Sequence, residues 1–209
     1  MAKVKICGIT NLEDALLSVQ YGADVLGFNF YPQSPRYIDT ELVRVIVEQL
    51  PANILTVGVF VDADLVTIKD AVRTAGLRCV QLHGAETAIF VTELKKNLDV
   101  PVIKAFRVSG TFEPNEVLEF DVDAVLLDAY SPTMYGGTGE PFNWAIAKKV
   151  GEVFPKMYLA GGLSPDNVRH AVKDVAPFAV DVCSSLESSR GKKNAELLRR
   201  FIIEAKQNG

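Results

Sequence analysis

Eight short runs of strand character recur along the 209 residues, most of them followed by a stretch with helical spacing, and nothing else in the chain limits the possible folds so tightly. The first run is VKICGI; the others lie near 24–29 (DVLGFN), 54–60 (ILTVGVF), 78–82 (RCVQL), 100–106 (VPVIKAF), 123–128 (DAVLLD), 157–160 (MYLA) and 178–182 (FAVDV). After the first, Leu12, Ala15, Leu16 and Val19 recur at helical spacing behind a Thr10–Glu13 capping box, and Gly22 is a stop signal. Leu42, Val43, Ile46, Val47 and Leu50 precede Pro51, and Val168, Ala171, Val172 and Val175 follow a Ser164 cap and Pro165. Leu197, Leu198, Phe201 and Ile202 mark a closing helix. Strands that are continuous Val/Ile/Leu runs alternating with helices imply a parallel sheet covered on both faces. Eight strand–helix pairs in this length fit a small (β/α)8 TIM barrel, a single domain over residues 1–209. An open doubly wound sheet is the competitor, because counting strands does not establish closure.

Composition narrows the function classes. With 48% hydrophobic and 23% charged residues, the chain can bury one sizeable core. Its net charge of −4, with no run of like charges, argues against a nucleic-acid or membrane-surface partner. No apolar run reaches the roughly 18 residues that span a bilayer, and the amino terminus reads as a strand, so a cytoplasmic location is expected. Cys7, Cys79 and Cys183 form no CxxC pair, so neither a disulfide framework nor a zinc knot is indicated.

In such a barrel the active site lies at the carboxyl ends of the strands. Cys7, Gln81, His83, Arg107, Asp128 and Asp181 all fall there. Cys7 is open to two readings, a small core hydrophobe or a reactive thiol. If it faces the barrel axis, so does Lys5, whose partner the sequence does not name. In LAGGLSPDN, Gly161 and Gly162 follow strand seven, and CSSLES follows strand eight; loops at these two places commonly hold a phosphate. Cys79 reads as a core residue, and Cys183 is undecided.

KVKICGIT, GFNFYPQSPRYI, VGVFVD, VQLHG, LLDAYSPTMYGGTG, LAGGLSPDNV and PFAVDV resemble, in order, the motifs of the phosphoribosylanthranilate isomerases of tryptophan biosynthesis, from residue 3 to about residue 193. The resemblance implies a cofactor-free Amadori rearrangement of N-(5'-phosphoribosyl)anthranilate to 1-(2-carboxyphenylamino)-1-deoxyribulose 5-phosphate. Carried over by motif, Cys7 is the general base and Asp128 the general acid. Arg36 binds the anthranilate carboxylate, Gly161, Gly162, Ser184 and Ser185 hold the phosphate, and Asp181 and His83 lie near the sugar or ring. His83 could equally be a hydrogen-bonded structural imidazole. The chemistry needs these types: a carboxyl that keeps its proton can open the furanose, and a thiolate can take the sugar C2' hydrogen once the Schiff base acidifies it. The chain departs from the family's usual Ser-Ser-Gly after PFAVDV, carrying Cys183, Ser184 and Ser185 instead. If the glycine served a positive φ, the loop must compensate.

The implied partner is a small phosphosugar, bound by a monomer or homodimer. A metal-dependent sugar-phosphate epimerase needs several histidine and acidic ligands, whereas this chain has two histidines, one of them, His170, inside a helix. The related isomerase of the imidazole pathway resembles a two-aspartate design, against which Cys7 speaks. A non-catalytic phosphate-ligand binder would not need Cys7 and Asp128 together.

Overall fold

The computed structural model describes residues 1–129 and 144–207; residues 130–139 of the LLDAYSPTMYGGTG motif therefore lie outside the described residues. Eight parallel strands close into a barrel in chain order: β1 (Lys3–Ile6), β2 (Val25–Asn29), β3 (Leu55–Phe60), β4 (Cys79–Leu82), β5 (Val102–Val108), β6 (Ala124–Ala129), β7 (Met157–Leu159) and β8 (Ala179–Val182). Closure comes from β1 pairing with β8 as well as β2, with Lys3 opposite Ala179 and Ile6 opposite Val182, so the sheet is not open. A small hairpin, β9 (Glu187–Ser189) and β10 (Lys192–Lys193), follows β8.

Helices α1 (Leu12–Tyr21), α2 (Thr40–Val47), α3 (Leu65–Ala75), α4 (Ala88–Asn97), α5 (Trp144–Val153), α6 (Val168–Val175) and α7 (Ala195–Lys206) surround the strands. The eightfold pairing is broken once: between β5 and β6 stands a 3-10 segment, Pro114–Glu119, in place of an α-helix. Pro114 opens it and a reciprocal Glu113–Glu116 box closes its start, which leaves a short turn with Val117 as its buried residue.

Two further expectations are corrected. The cap of α1 is Asn11, whose side chain accepts the Asp14 N–H at 2.9 Å, because the Thr10 hydroxyl is drawn away to donate to the Gly191 carbonyl. Ser164 does not cap α6 directly; its hydroxyl accepts the Asp166 N–H, and its carbonyl accepts the Val168 N–H at 3.0 Å, forming a turn that runs into the helix. The Gly22 stop stands, with φ +104°. Leu16 and Leu42, read as parts of apolar faces, are largely exposed, and their helices bury Ala15, or Val43 and Ile46, instead.

Strand side chains alternate, so each strand feeds two cores. Outward residues such as Val4, Ile6, Leu26, Val80, Leu127 and Val180 pack beneath the helices. Inward residues Val25, Val57, Cys79, Ile103, Leu126, Tyr158 and Ala179 fill the barrel, each aliphatic one contributing about 1.5–3 kcal/mol of transfer free energy when fully buried. Cys79 belongs to this filling, and burial pushes its thiol up to about 12, which suits an inert role.

Candidate active site

One residue beyond the apolar plug the barrel becomes polar. Lys5, fully buried on β1, donates to the Asp181 carboxylate of β8 at 2.8 Å, which supplies the partner that the sequence left unnamed. Their alignment follows from the strand register, which sets Lys5 opposite Asp181. Burial alone would lower the Lys5 pKa, but Asp181 and the Cys7 sulfur outweigh it and raise it above the ordinary lysine value. At Asp181 burial wins instead, pushing the carboxyl up to about 6, because Cys7 and Asp128 oppose its ionisation while Lys5 alone favours it.

Cys7 sits above Lys5, half-buried, with its N–H bonded to the Val182 carbonyl at 2.9 Å. Neighbouring β2 makes room for it: a Cβ on Gly27 would lie 2.9 Å from the Cys7 sulfur and 3.2 Å from the Lys5 ammonium. A hydrogen bond from Cys183 is the largest of the influences that hold the Cys7 thiol well below its ordinary pKa; burial opposes, and Lys5 and Lys193 add their positive charge. This favours the reactive-thiol reading over the core-filler one.

The far side of the mouth carries Asp128 near the end of β6, buried, with its Oδ2 3.4 Å from His83 Nε2. Gln81, two residues earlier on β4, donates its amide to His83 Nδ1 at 2.8 Å, so the ring hydrogen falls on Nε2 and faces the carboxyl. His83 is thus both a braced imidazole and a neighbour of Asp128. Arg107 pairs in register with Asp128 on adjacent strands. His170 lies away from these groups, its ring 5.4 Å from that of Trp144.

The loop after β2 brings Arg36 to the Cys7 side. The Ser34 hydroxyl accepts both the Asn29 amide and the Arg36 N–H at 3.1 Å, and the Asn29 carbonyl oxygen of the side chain accepts the Tyr31 N–H. The guanidinium then grips Glu187 through Nε and Nη2 at 2.7 and 2.8 Å. Lys193, also buried, reaches Glu187 at 3.3 Å and the Cys183 carbonyl at 3.1 Å. Burial resists ionisation of Glu187, yet Arg36 and Lys193 keep its carboxyl below the usual range. Sequence reasoning missed Glu187 and Lys193, which fall in a polar stretch, ESSRGKK, that reads as a solvated loop.

The two glycines after β7 both adopt left-handed backbone, φ +80° at Gly161 and +68° at Gly162. Asn167 fastens this turn, donating to the Gly162 carbonyl and accepting the Ser164 N–H, each at 2.8 Å. The Ser185 hydroxyl donates to the Leu163 carbonyl at 2.5 Å and so ties the loop after β8 to the loop after β7. Ser185 lies in a 3-10 turn, Ser184–Leu186, without a positive φ, so the missing glycine imposes no strain here.

A family model described as N-(5'phosphoribosyl)anthranilate (PRA) isomerase matches residues 4–204. A curated N-(5'-phosphoribosyl)anthranilate isomerase of Geobacter sp. (strain M21) is 50% identical over 209 residues, covering 99% of each chain. The crystal structure of phosphoribosyl anthranilate isomerase from Thermotoga maritima superposes with a TM-score of 0.91 at 42% identity, over 99% of this chain and all of that one. A second structure, of such an isomerase in complex with reduced 1-(o-carboxyphenylamino)-1-deoxyribulose 5-phosphate, gives a TM-score of 0.87 at 41% identity, over 99% and 100% of the two chains.

Proposed function

The chain belongs to the N-(5'-phosphoribosyl)anthranilate isomerase family and is an isomerase of tryptophan biosynthesis, and from that premise we propose how its own residues carry the reaction. Asp128 gives a proton to the furanose ring oxygen of phosphoribosylanthranilate, the ring opens, and the nitrogen lone pair forms a Schiff base. The Cys7 thiolate then takes the C2' hydrogen, and the resulting enol-amine collapses to the 2-ketone of 1-(2-carboxyphenylamino)-1-deoxyribulose 5-phosphate. The observation that carries this reading is a thiol held well below its ordinary pKa on the same rim as a buried carboxyl.

Arg36 is the group for the anthranilate carboxylate: Glu187 takes one edge of its guanidinium, through Nε and Nη2, and the Nη1 side is turned elsewhere. The left-handed Gly161–Gly162 turn and the Ser184–Ser185 turn are the phosphate cradle, held together by the Ser185–Leu163 bond. Asp181 and His83 contact the sugar or ring from below and beside it.

The protein works on this small phosphosugar as a monomer or homodimer in the cytoplasm, without nucleic acid or membrane. Among the described residues no helix is long and apolar enough to cross a membrane. Sedimentation velocity distinguishes monomer from dimer.

The reaction test uses purified protein and phosphoribosylanthranilate, followed by loss of anthranilate-type fluorescence. Cys7→Ser should fold normally, bind product, lower kcat by about 10²–10⁴-fold, and abolish exchange of the C2' hydrogen with solvent deuterium. Near-parental kcat in Cys7→Ser would return the cysteine to the core and send the search for the base elsewhere.

A further inference from the structure

Cys183 takes no part in the steps just described, yet it lies beside the group that does. Cys7 follows Ile6, which is paired in register with Val182, and the Cys7 N–H bonds the Val182 carbonyl, so the two cysteines leave adjacent strand ends side by side. A Cβ on Gly8 would come within 2.8 Å of both the Cys183 sulfur and Arg36 Cδ, so nothing larger than a glycine hydrogen separates these groups there. The two sulfurs are within hydrogen-bonding reach of each other.

Two neighbouring thiols hold the charge of one thiolate more readily than two, and the surroundings decide which sulfur carries it. Cys7 has the Lys5 ammonium beneath it. Cys183 faces a carboxylate, with its sulfur 3.9 Å from Glu187 Oε1. Lys193 is also 3.9 Å from the Cys183 sulfur, but its nearer contacts are the Cys183 carbonyl at 3.1 Å and Glu187 at 3.3 Å, which occupy its charge. Lys5 and Asp181 from below, Lys193 and Glu187 from the hairpin, and Arg36 from the loop after β2 complete the charged groups around the pair. The negative charge therefore belongs on Cys7 and the hydrogen on Cys183.

We propose that Cys183 is a positioning residue whose S–H donates to the Cys7 sulfur and keeps the base in its thiolate form. The proposal deepens the reading of Cys7 as the base and rests on it for its effect on turnover. Where the family resemblance has serine, this chain supplies the donor with a second thiol.

The test follows alkylation of Cys7 by iodoacetamide across pH, resolved from Cys183 by peptide mass spectrometry, in the parent, Cys183→Ala and Cys183→Ser, beside the pH profile of kcat/KM. In Cys183→Ala the alkylation midpoint and the acid limb of kcat/KM should rise together by about one pH unit, about a tenfold loss at a fixed pH below both midpoints, with KM moving less. Cys183→Ser, whose hydroxyl also donates, should lie near the parent. Superimposable alkylation profiles in the parent and Cys183→Ala overturn the proposal, as does a serine variant no better than the alanine one. A shifted alkylation profile with an unmoved kcat/KM limb upholds the hold of Cys183 on Cys7 and instead refutes Cys7 as the base.

Discussion

At the amino end of β6 the Asp123 carboxylate accepts the Val102 N–H at 2.8 Å, its own N–H returns a bond to the Val102 carbonyl, and Lys95 lies 3.6 Å away at the surface. Asp128, near the carboxyl end of the same strand, is buried and faces an imidazole across 3.4 Å. The contrast repeats on the other side of the barrel. Asp24, before β2, exchanges the same two bonds with Val4 and pairs with Lys206 at 2.9 Å, whereas Asp181, in β8, is buried against Lys5. One residue type thus has two roles, and the end of the strand assigns them. At the amino ends a carboxylate meets strand N–H groups and solvent-reachable lysines, which satisfies it structurally. At the carboxyl ends it sits in a walled mouth beside titratable groups, where its charge and its proton become available to a ligand.

The widest separation between the two roles should come from Asp128→Asn. It keeps the shape that faces His83 and cannot deliver the same proton, so kcat should fall about 10²–10⁴-fold while the melting temperature stays close to the parent's. Solvent deuterium should no longer enter C2', because the ring never opens, and this is the stall that precedes the Cys7 step. An Asp128→Asn protein with nearly full turnover would place the two ends of β6 in the same structural class.

A smaller effect is expected from Arg36→Ala, which removes a carboxylate partner worth about 1.5–3 kcal/mol and should raise KM roughly ten- to hundredfold with a lesser change in kcat. Steady-state kinetics checks it, and an unchanged KM would mean that the bond to Glu187 is all that Arg36 does.

The barrel and most of its rim could be read from the chain because they depend on local pattern: apolar runs of strand length, helical spacing between them, and polar residues placed where a run ends. What escaped depends on contacts between distant segments. Lys5 announces that it needs a partner, yet only closure of β1 on β8 brings Asp181 to it. Glu187 and Lys193 look solvated until the hairpin folds over Arg36. Thr10 satisfies the rule for a helix cap, and loses that place to Asn11 because Gly191 offers its hydroxyl another acceptor. The fifth helix fails for a more local reason, since Pro114 and its flanking box favour a short 3-10 turn over a longer helix.

The smallest predicted effect tests the other half of the comparison. Asp123→Ala removes the acceptor for the Val102 N–H at a site that solvent reaches, so water can replace part of the lost bond. The cost should be about 1 kcal/mol, which for a chain of this size lowers the melting temperature by about 2–4 °C. Asp24→Ala should cost about the same through Val4, and because the two aspartates share no partner the double variant should lose close to the sum. In all three, kcat and KM should equal the parent's, since neither carboxylate lies on the rim that holds Cys7 and Asp128. Calorimetry and steady-state kinetics on the same preparations make the comparison direct. A drop in kcat of tenfold or more in Asp123→Ala, with an unshifted melting temperature, would mean that the amino ends of the strands are coupled to the chemistry and that strand end alone does not assign the role.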